Sequence, residues 1–141
     1  MSATQPATLT ALARTAEPHS ALRRFLALDA VVTGVNGVAY LAASGPLGRL
    51  LGVGSGLLLA LGVFLTVYAA GVALLASRPR PATPAVRAVV EANLTWAALS
   101  CAALALWLSP TAVGAVWTVL QAVTVAGFAT LQHLALKARR G

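Results

Sequence analysis

The sequence predicts an all-α fold, a four-helix transmembrane bundle with both termini in the cytoplasm. Apolar residue types make up 59% of the chain and charged types only 9%, whereas soluble domains contain about 25% charged residues. Four apolar segments are long enough to cross a bilayer core of about 30 Å, which requires about 20 helical residues. Because so few charges cannot cover a surface in water, the composition excludes an ordinary soluble enzyme and a disordered chain.

The N-terminal segment differs in composition from the rest of the chain. Residues 1–20 are rich in Ser, Thr, Ala, Pro and Gln and contain no long apolar run. We expect them to form a mobile cytoplasmic tail, with a short helix around residues 9–16. Residues 21–141 are expected to form the four-span bundle.

Helix-breaking and capping residues divide the bundle into its spans. Pro46 follows the first apolar run, and proline interrupts a helix. A linker over residues 47–54 is expected to form an interfacial turn. Thr83 followed by Pro84 is typical of a helix start, and Pro110 marks a tight turn. The predicted spans are residues 25–43, 55–76, 84–108 and 111–136.

The residue pattern inside the spans favours helices over barrel strands. The segments are apolar nearly all round, whereas a helix at a water surface would carry a polar stripe. An unpaired amide in lipid costs several kcal/mol, so only helices and closed barrels span a membrane. Barrel strands alternate polar and apolar residues, and these segments do not.

The distribution of basic residues predicts the orientation in the membrane. Nine of the ten Lys and Arg residues lie on one side of the predicted bundle, and Arg49 lies alone on the other. Positively charged residues beside spans stay in the cytoplasm, so both termini are expected there. The expected localisation is that of a multi-pass protein in the bacterial inner (plasma) membrane. The nine are Arg14, Arg23, Arg24, Arg78, Arg80, Arg87, Lys137, Arg139 and Arg140.

The net charge of +7 indicates the partners of these basic residues. They lie beside apolar runs, so we expect them to contact anionic lipid headgroups on the cytoplasmic side. Aromatic residues are not interleaved with them as a base-stacking surface would require, so no nucleic acid is expected.

Three titratable residues are predicted at one depth in the bundle. Asp29, Glu91 and His133 each lie four or five residues inside a basic residue near the cytoplasmic end of a span. At 1.5 Å of rise per residue, this places them roughly 6–8 Å inside the cytoplasmic boundary. Ionisable groups inside spans are costly and often functional, so this level is the candidate site.

Helical spacing places further polar residues on the same faces. Asp29, Thr33 and Asn36 follow one another at i, i+4 and i+7, which is one face of a helix. Gln132 belongs to a polar face of the fourth span, whereas the second span carries a stripe of small residues that permits close helix packing. The candidate ligand-binding residues are Asp29, Thr33, Asn36, Glu91, Gln132 and His133.

These polar residues have a structural interpretation as well as a functional one. Polar side chains in spans commonly form interhelical hydrogen bonds of about 0.6 kcal/mol each. Glu91 lies one turn after Arg87 and can form an ion pair with it, and Asp29 can pair with a cytoplasmic arginine. His133 can point toward the headgroups or bond to a carboxylate. The third span has a second polar face, with Asn93, that does not contain Glu91.

The sequence contains no recognisable catalytic constellation, so we expect no enzyme activity. The chain has two histidines, and His19 lies in the expected tail, so two spans cannot supply a pair of axial haem ligands. No Cys or His pair has metal-ligand spacing, no serine has a plausible base, and no glycine-rich loop follows a strand. We therefore expect no cofactor and no metal.

Three short stretches resemble a group of membrane proteins. They are residues 28–37 (LDAVVTGVNG), residues 45–47 (GPL) and residues 91–96 (EANLTW). They resemble uncharacterised small four-span integral membrane proteins of actinobacterial type, over about residues 21–138, and the layout alone is similar to DoxX-like proteins. The small multidrug transporters differ, since their essential glutamate lies near the middle of the first span and Asp29 lies near its edge.

Two functions remain open from the sequence. The first is a non-enzymatic structural, accessory or partner-binding bundle, with membrane lipids and either a second copy of the chain or another membrane protein as partners. The alternative is a small oligomeric transporter or ligand-binding membrane protein that uses the polar cytoplasmic-side site. Because four spans lack the internal repeats common in transporters, the alternative requires at least a dimer.

Overall fold

The first helix of the computed structural model, α1, runs from Thr4 to Ala42. The structure describes the backbone of residues 4–140 and the side chains of residues 19–139. The helix is therefore much longer than the one expected around residues 9–16, and it is continuous with the first span. The mobility and the cytoplasmic position expected of residues 1–20 stay predictions.

The linker after the first span contains a short helix, α2, over Ser44–Leu51, where an interfacial turn was expected. Pro46 lies in its first turn, where its missing N–H costs nothing because that group has no partner within the helix. The helix ends at Gly52, whose φ of 75° is left-handed and whose N–H donates to the Gly48 carbonyl. A glycine in this conformation is a common helix terminator.

The remaining helices agree closely with the predicted spans. They are α3 (Ser55–Ala76), α4 (Thr83–Leu106) and α5 (Ala112–Arg140). Thr83 begins α4 and Pro84 lies in its first turn, so the helix starts where the sequence predicts. The N-cap residue is Ala82 and no side chain caps the helix, so Thr83 is not the capping residue that was expected. Four helical segments are long and apolar enough to cross a membrane, namely His19–Ala42, Ser55–Ala76, Thr83–Leu106 and Ala112–Arg139. The chain is therefore all-α, and these four candidate spans indicate a multi-pass membrane protein.

The four long helices form an incomplete ring. Helix α1 packs along α3 and also against α5, and α5 packs against α4, whereas α3 scarcely touches α4. The order around the bundle is therefore α3, α1, α5 and α4, with a gap between α4 and α3. The outer surface is apolar, with exposed residues such as Val35, Val67 and Val123, as a lipid-facing surface requires.

Two glycines allow the closest contact in the bundle, between α1 and α3. A Cβ atom on Gly37 would lie 2.8 Å from the backbone nitrogen of Thr66, and one on Gly62 would lie 2.9 Å from the Gly37 carbonyl oxygen. Small residues at such crossings let helix backbones approach in lipid, where van der Waals packing drives association. The small residues of the second span thus face the first.

The buried apolar residues form two clusters at opposite ends of the bundle. The larger one includes Leu26, Val72 and Val86 and lies toward the ends that carry most of the basic residues. The smaller one contains Tyr40 and Leu58 and packs against Trp96 and other half-buried side chains. A group of buried polar side chains alternates with the larger cluster along the helices: Asp29 lies between Leu26 and Ala30, and Gln132 lies between Ala129 and Ala135.

Candidate functional site

A buried carboxylate from α1 lies at the centre of the polar group. Asp29 has no exposed surface. Its Oδ1 accepts a 3.0 Å hydrogen bond from the Thr33 hydroxyl, one turn further along α1. Its Oδ2 accepts two bonds of 2.8 Å, from Asn93 Nδ2 in α4 and Gln132 Nε2 in α5. One carboxylate therefore connects three helices.

A second layer of hydrogen bonds adds the fourth helix. The Tyr68 hydroxyl in α3 contacts Asn93 Oδ1 at 3.0 Å and the Val89 carbonyl oxygen at 3.3 Å. Asn93 Nδ2 also lies 3.2 Å from Gln132 Oε1. We call Asp29, Thr33, Tyr68, Asn93 and Gln132 the Asp29 network. It takes at least one side chain from each of the four spans.

The network is chemically self-contained. The three side chains that donate to Asp29 are uncharged, and both carboxylate oxygens are occupied. Carboxylate oxygens accept hydrogen bonds, so amide and hydroxyl donors suit them. This geometry cross-links helices, and it leaves no carboxylate oxygen without a partner.

The structure brings together half of the residues proposed from the sequence. Asp29, Thr33 and Gln132 are buried and belong to the Asp29 network. Glu91 and His133 are exposed on the surfaces of α4 and α5. The three titratable groups therefore do not meet. Arg23, one of the arginines considered as a partner for Asp29, instead donates from Nε to the Ala76 carbonyl oxygen at 3.0 Å.

Helix geometry explains which polar residues point inward. Neighbouring positions on a helix are separated by about 100°, so His133 turns away from the axis when Gln132 points toward it. Glu91 and Asn93 are two positions apart in α4 and face nearly opposite directions by the same geometry. The Asn93 face of α4 enters the bundle, so Glu91 lies outside the Asp29 network.

Two members of the network were not among the candidate residues. Asn93 belongs to the second polar face of the third span, and Tyr68 lies on no polar face predicted from the sequence. One signal favours Asn93: it shares its helix face with Trp96 and Ser100, at i+3 and i+7.

Asn36 faces a different environment from its neighbours on α1. It is half-buried and lines a cavity of about 250 Å³ together with Thr33 and Tyr40. Trp117 Nε1 donates to the Tyr40 hydroxyl at 2.7 Å, and Trp96 Nε1 donates to Gln121 Oε1 at 2.6 Å. The polar side of α1 thus continues past the Asp29 network into a second hydrogen-bonded region.

A larger cavity, of about 390 Å³, occupies the gap between α3 and α4. Phe64 stacks on Trp96 across this gap, with ring centroids 6.0 Å apart and an angle of 5° between the planes. Tyr68 and Glu91 also line the cavity. Aromatic side chains and hydrogen bonds, rather than close backbone packing, therefore join α3 to α4.

No metal site is visible in the part of the chain whose side chains are described. Within residues 19–139, no three His, Cys, Asp or Glu side chains lie close enough together to hold a metal ion.

The chain matches no protein-family model, no curated protein and no solved structure. These comparisons therefore identify no family.

Proposed function

We propose that this protein is a non-enzymatic membrane bundle that acts as a structural, accessory or partner-binding component of a bacterial cell membrane. The Asp29 network is the observation that carries this proposal. Its carboxylate is fully buried, and each of its oxygens already accepts at least one hydrogen bond. A fully buried group in that state holds helices in register and is not accessible to a substrate.

The proposed orientation places both termini in the cytoplasm and the partners in and beside the membrane. Arg24 is exposed just before the predicted first span, Arg78 and Arg80 are exposed in the connection between α3 and α4, and Lys137 is exposed near the end of α5. In the proposed orientation these side chains are available to anionic headgroups. Basic residues just outside a span attract anionic lipids by about 1 kcal/mol each. This supports lipid headgroups as partners on the cytoplasmic side.

A protein partner is expected on the outer surface of the bundle. Val35, Val67 and Val123, on three different helices, are each more than 60% exposed. In this proposal, either a second copy of the chain or another membrane protein covers one of these surfaces, since a structural or accessory role requires a contact with another protein.

Photo-crosslinking in intact membranes tests this proposal. A photoreactive amino acid at positions 35, 67 and 123, one at a time, should give a discrete protein adduct from at least one position. The same amino acid at position 129, where Ala129 is fully buried, is the control and should give none. Adducts to lipid alone from all three exposed positions would overturn the partner-binding role.

A second candidate function is that of a ligand-binding membrane protein. The cavity between α3 and α4 favours it, because its volume of about 390 Å³ falls within the range of about 300–1,000 Å³ that is usual for ligand pockets. The ligand site expected at the shared level of Asp29, Glu91 and His133 is not supported, because Asp29 is buried in its network, Glu91 lines this cavity and His133 does not.

A further inference from the structure

The cavity between α3 and α4 opens at the outer surface of the bundle. Phe64 and Leu99 on its walls are 55% and 59% exposed, and Glu91 on its α4 side is exposed as well. The backbones of α3 and α4 scarcely contact each other. A molecule dissolved in the membrane can therefore enter sideways, without crossing the headgroups.

The walls of this cavity are aromatic and apolar. Phe64 stacks on Trp96 and also lies 6.1 Å from Tyr68, measured between ring centroids. Trp96 and Tyr68 already use their polar atoms on Gln121 and Asn93. The three rings therefore offer the cavity aromatic surface and no free polar atom, and aromatic rings attract cations.

Glu91 adds a negative charge to the same cavity. Among residues 19–139, no side chain or backbone group forms a hydrogen bond or an ion pair with its carboxylate. Arg87, one turn earlier on α4, is exposed and does not form an ion pair with Glu91. A carboxylate within a span is costly unless it gains a partner. A cationic ligand would supply the partner that residues 19–139 do not provide.

We propose that the cavity between α3 and α4 binds a lipophilic organic cation, that is, an ammonium or phosphonium centre on an apolar body. The positive centre lies beside Glu91, and the apolar body lies against Phe64, Trp96 and Leu99. This inference rests on the second candidate function, ligand binding, and names the class of ligand. An anion is disfavoured by Glu91, and a neutral chain would leave the carboxylate without a partner.

Two probes of the same shape and opposite charge test the inference. Radiolabelled tetraphenylphosphonium and radiolabelled tetraphenylborate are added to the purified full-length protein in detergent, and binding is measured by scintillation proximity. We expect saturable binding of the phosphonium and at least tenfold weaker binding of the borate. Glu91→Gln should weaken phosphonium binding at least tenfold, and Phe64→Leu should weaken it severalfold.

Glu17→Gln provides the matched control. It removes the same charge from the same chain at a position that precedes the predicted first span, residues 25–43, and should leave phosphonium binding unchanged. Equal affinity of the wild type and Glu91→Gln would overturn the cation inference, as would tighter binding of the borate, although ligand binding itself would then stand. Failure of both probes to bind the wild type would overturn the inference and the ligand-binding function together.

Discussion

Gln132 donates a 2.8 Å hydrogen bond from Nε2 to Oδ2 of Asp29, a residue 103 positions earlier in the chain. The bond joins the last helix to the first. The same carboxylate oxygen accepts from Asn93 at 2.8 Å, so two amide side chains from separate helices depend on one acceptor. The stability of the bundle should therefore be unusually sensitive to the side chain at position 29.

Asp29→Leu should destabilise the bundle strongly. It leaves the Gln132 amide buried without its acceptor and removes the shorter of the two bonds that Asn93 Nδ2 donates. A buried polar group left without its partner costs about 1–3 kcal/mol. Asp29→Asn should cost less, because its amide can turn so that the carbonyl oxygen still accepts both bonds. Unfolding of the purified protein by titration with a denaturing detergent measures the difference. Equal losses in the two variants would contradict the role of the carboxylate as an acceptor.

The close crossing of α1 and α3 predicts opposite outcomes for two Gly→Ala substitutions. Gly37→Ala should destabilise the bundle by about 1–3 kcal/mol, the usual cost of overpacking, because its Cβ would lie 2.8 Å from the Thr66 nitrogen. Gly71→Ala places a Cβ in open space and should leave stability equal or slightly higher, since alanine favours helices. Both variants are compared with the wild type by the same unfolding titration.

Thr111 connects the start of α5 to the end of α2. Its hydroxyl donates to the Leu50 carbonyl oxygen at 2.6 Å, and it accepts from the Gly114 N–H at 3.1 Å. Thr111→Val keeps the shape but removes both bonds, and it should cost about 0.5–2 kcal/mol, as the loss of a helix cap does. Thr111→Ser retains the hydroxyl and should stay close to the wild type in thermal unfolding. A loss of the same size for Ser would point to the methyl group instead.

The orientation can be tested with cysteine labelling. In a Cys101→Ser background, Gly54→Cys lies just before α3, and Ser77→Cys lies just after it. If the basic ends are cytoplasmic, a membrane-impermeant maleimide should label position 54 in intact cells and position 77 only after lysis. Both positions are exposed, so each should label fully in detergent. The reverse pattern would mean that the termini lie outside the cytoplasm.

Much of the fold could be predicted from composition and helix punctuation. The second span, residues 55–76, coincides with α3, and the third and fourth differ from α4 and α5 by one to four residues at their ends. Hydrocarbon as the solvent allows little beyond helices of this length. The helical extension of α1 back to Thr4 and the short helix α2 were not predicted. Local composition there favours a tail and a turn, and neither segment carries the apolar run on which the spans were recognised.

The site was harder to predict because periodicity does not say which face of a helix points inward. The fourth span carries Gln132 and His133 side by side, and the third carries Glu91 and Asn93 on different faces. Which residue of each pair points inward depends on which helices pack against that span. A single sequence does not specify this packing. The gap between α3 and α4 was hidden for the same reason, since a short connection between two helices does not make them pack along their length.

The distance along the chain between Asp29 and Gln132 has a consequence for biosynthesis. At a synthesis rate of about 5–20 residues per second, the ribosome needs about 5–20 s to add the 103 positions that separate them. During that interval the first helix has left the exit tunnel while its carboxylate still lacks its final amide donor. We therefore expect the first helix to stay next to the translocon, or next to an associated insertase, until the fourth helix has been synthesised.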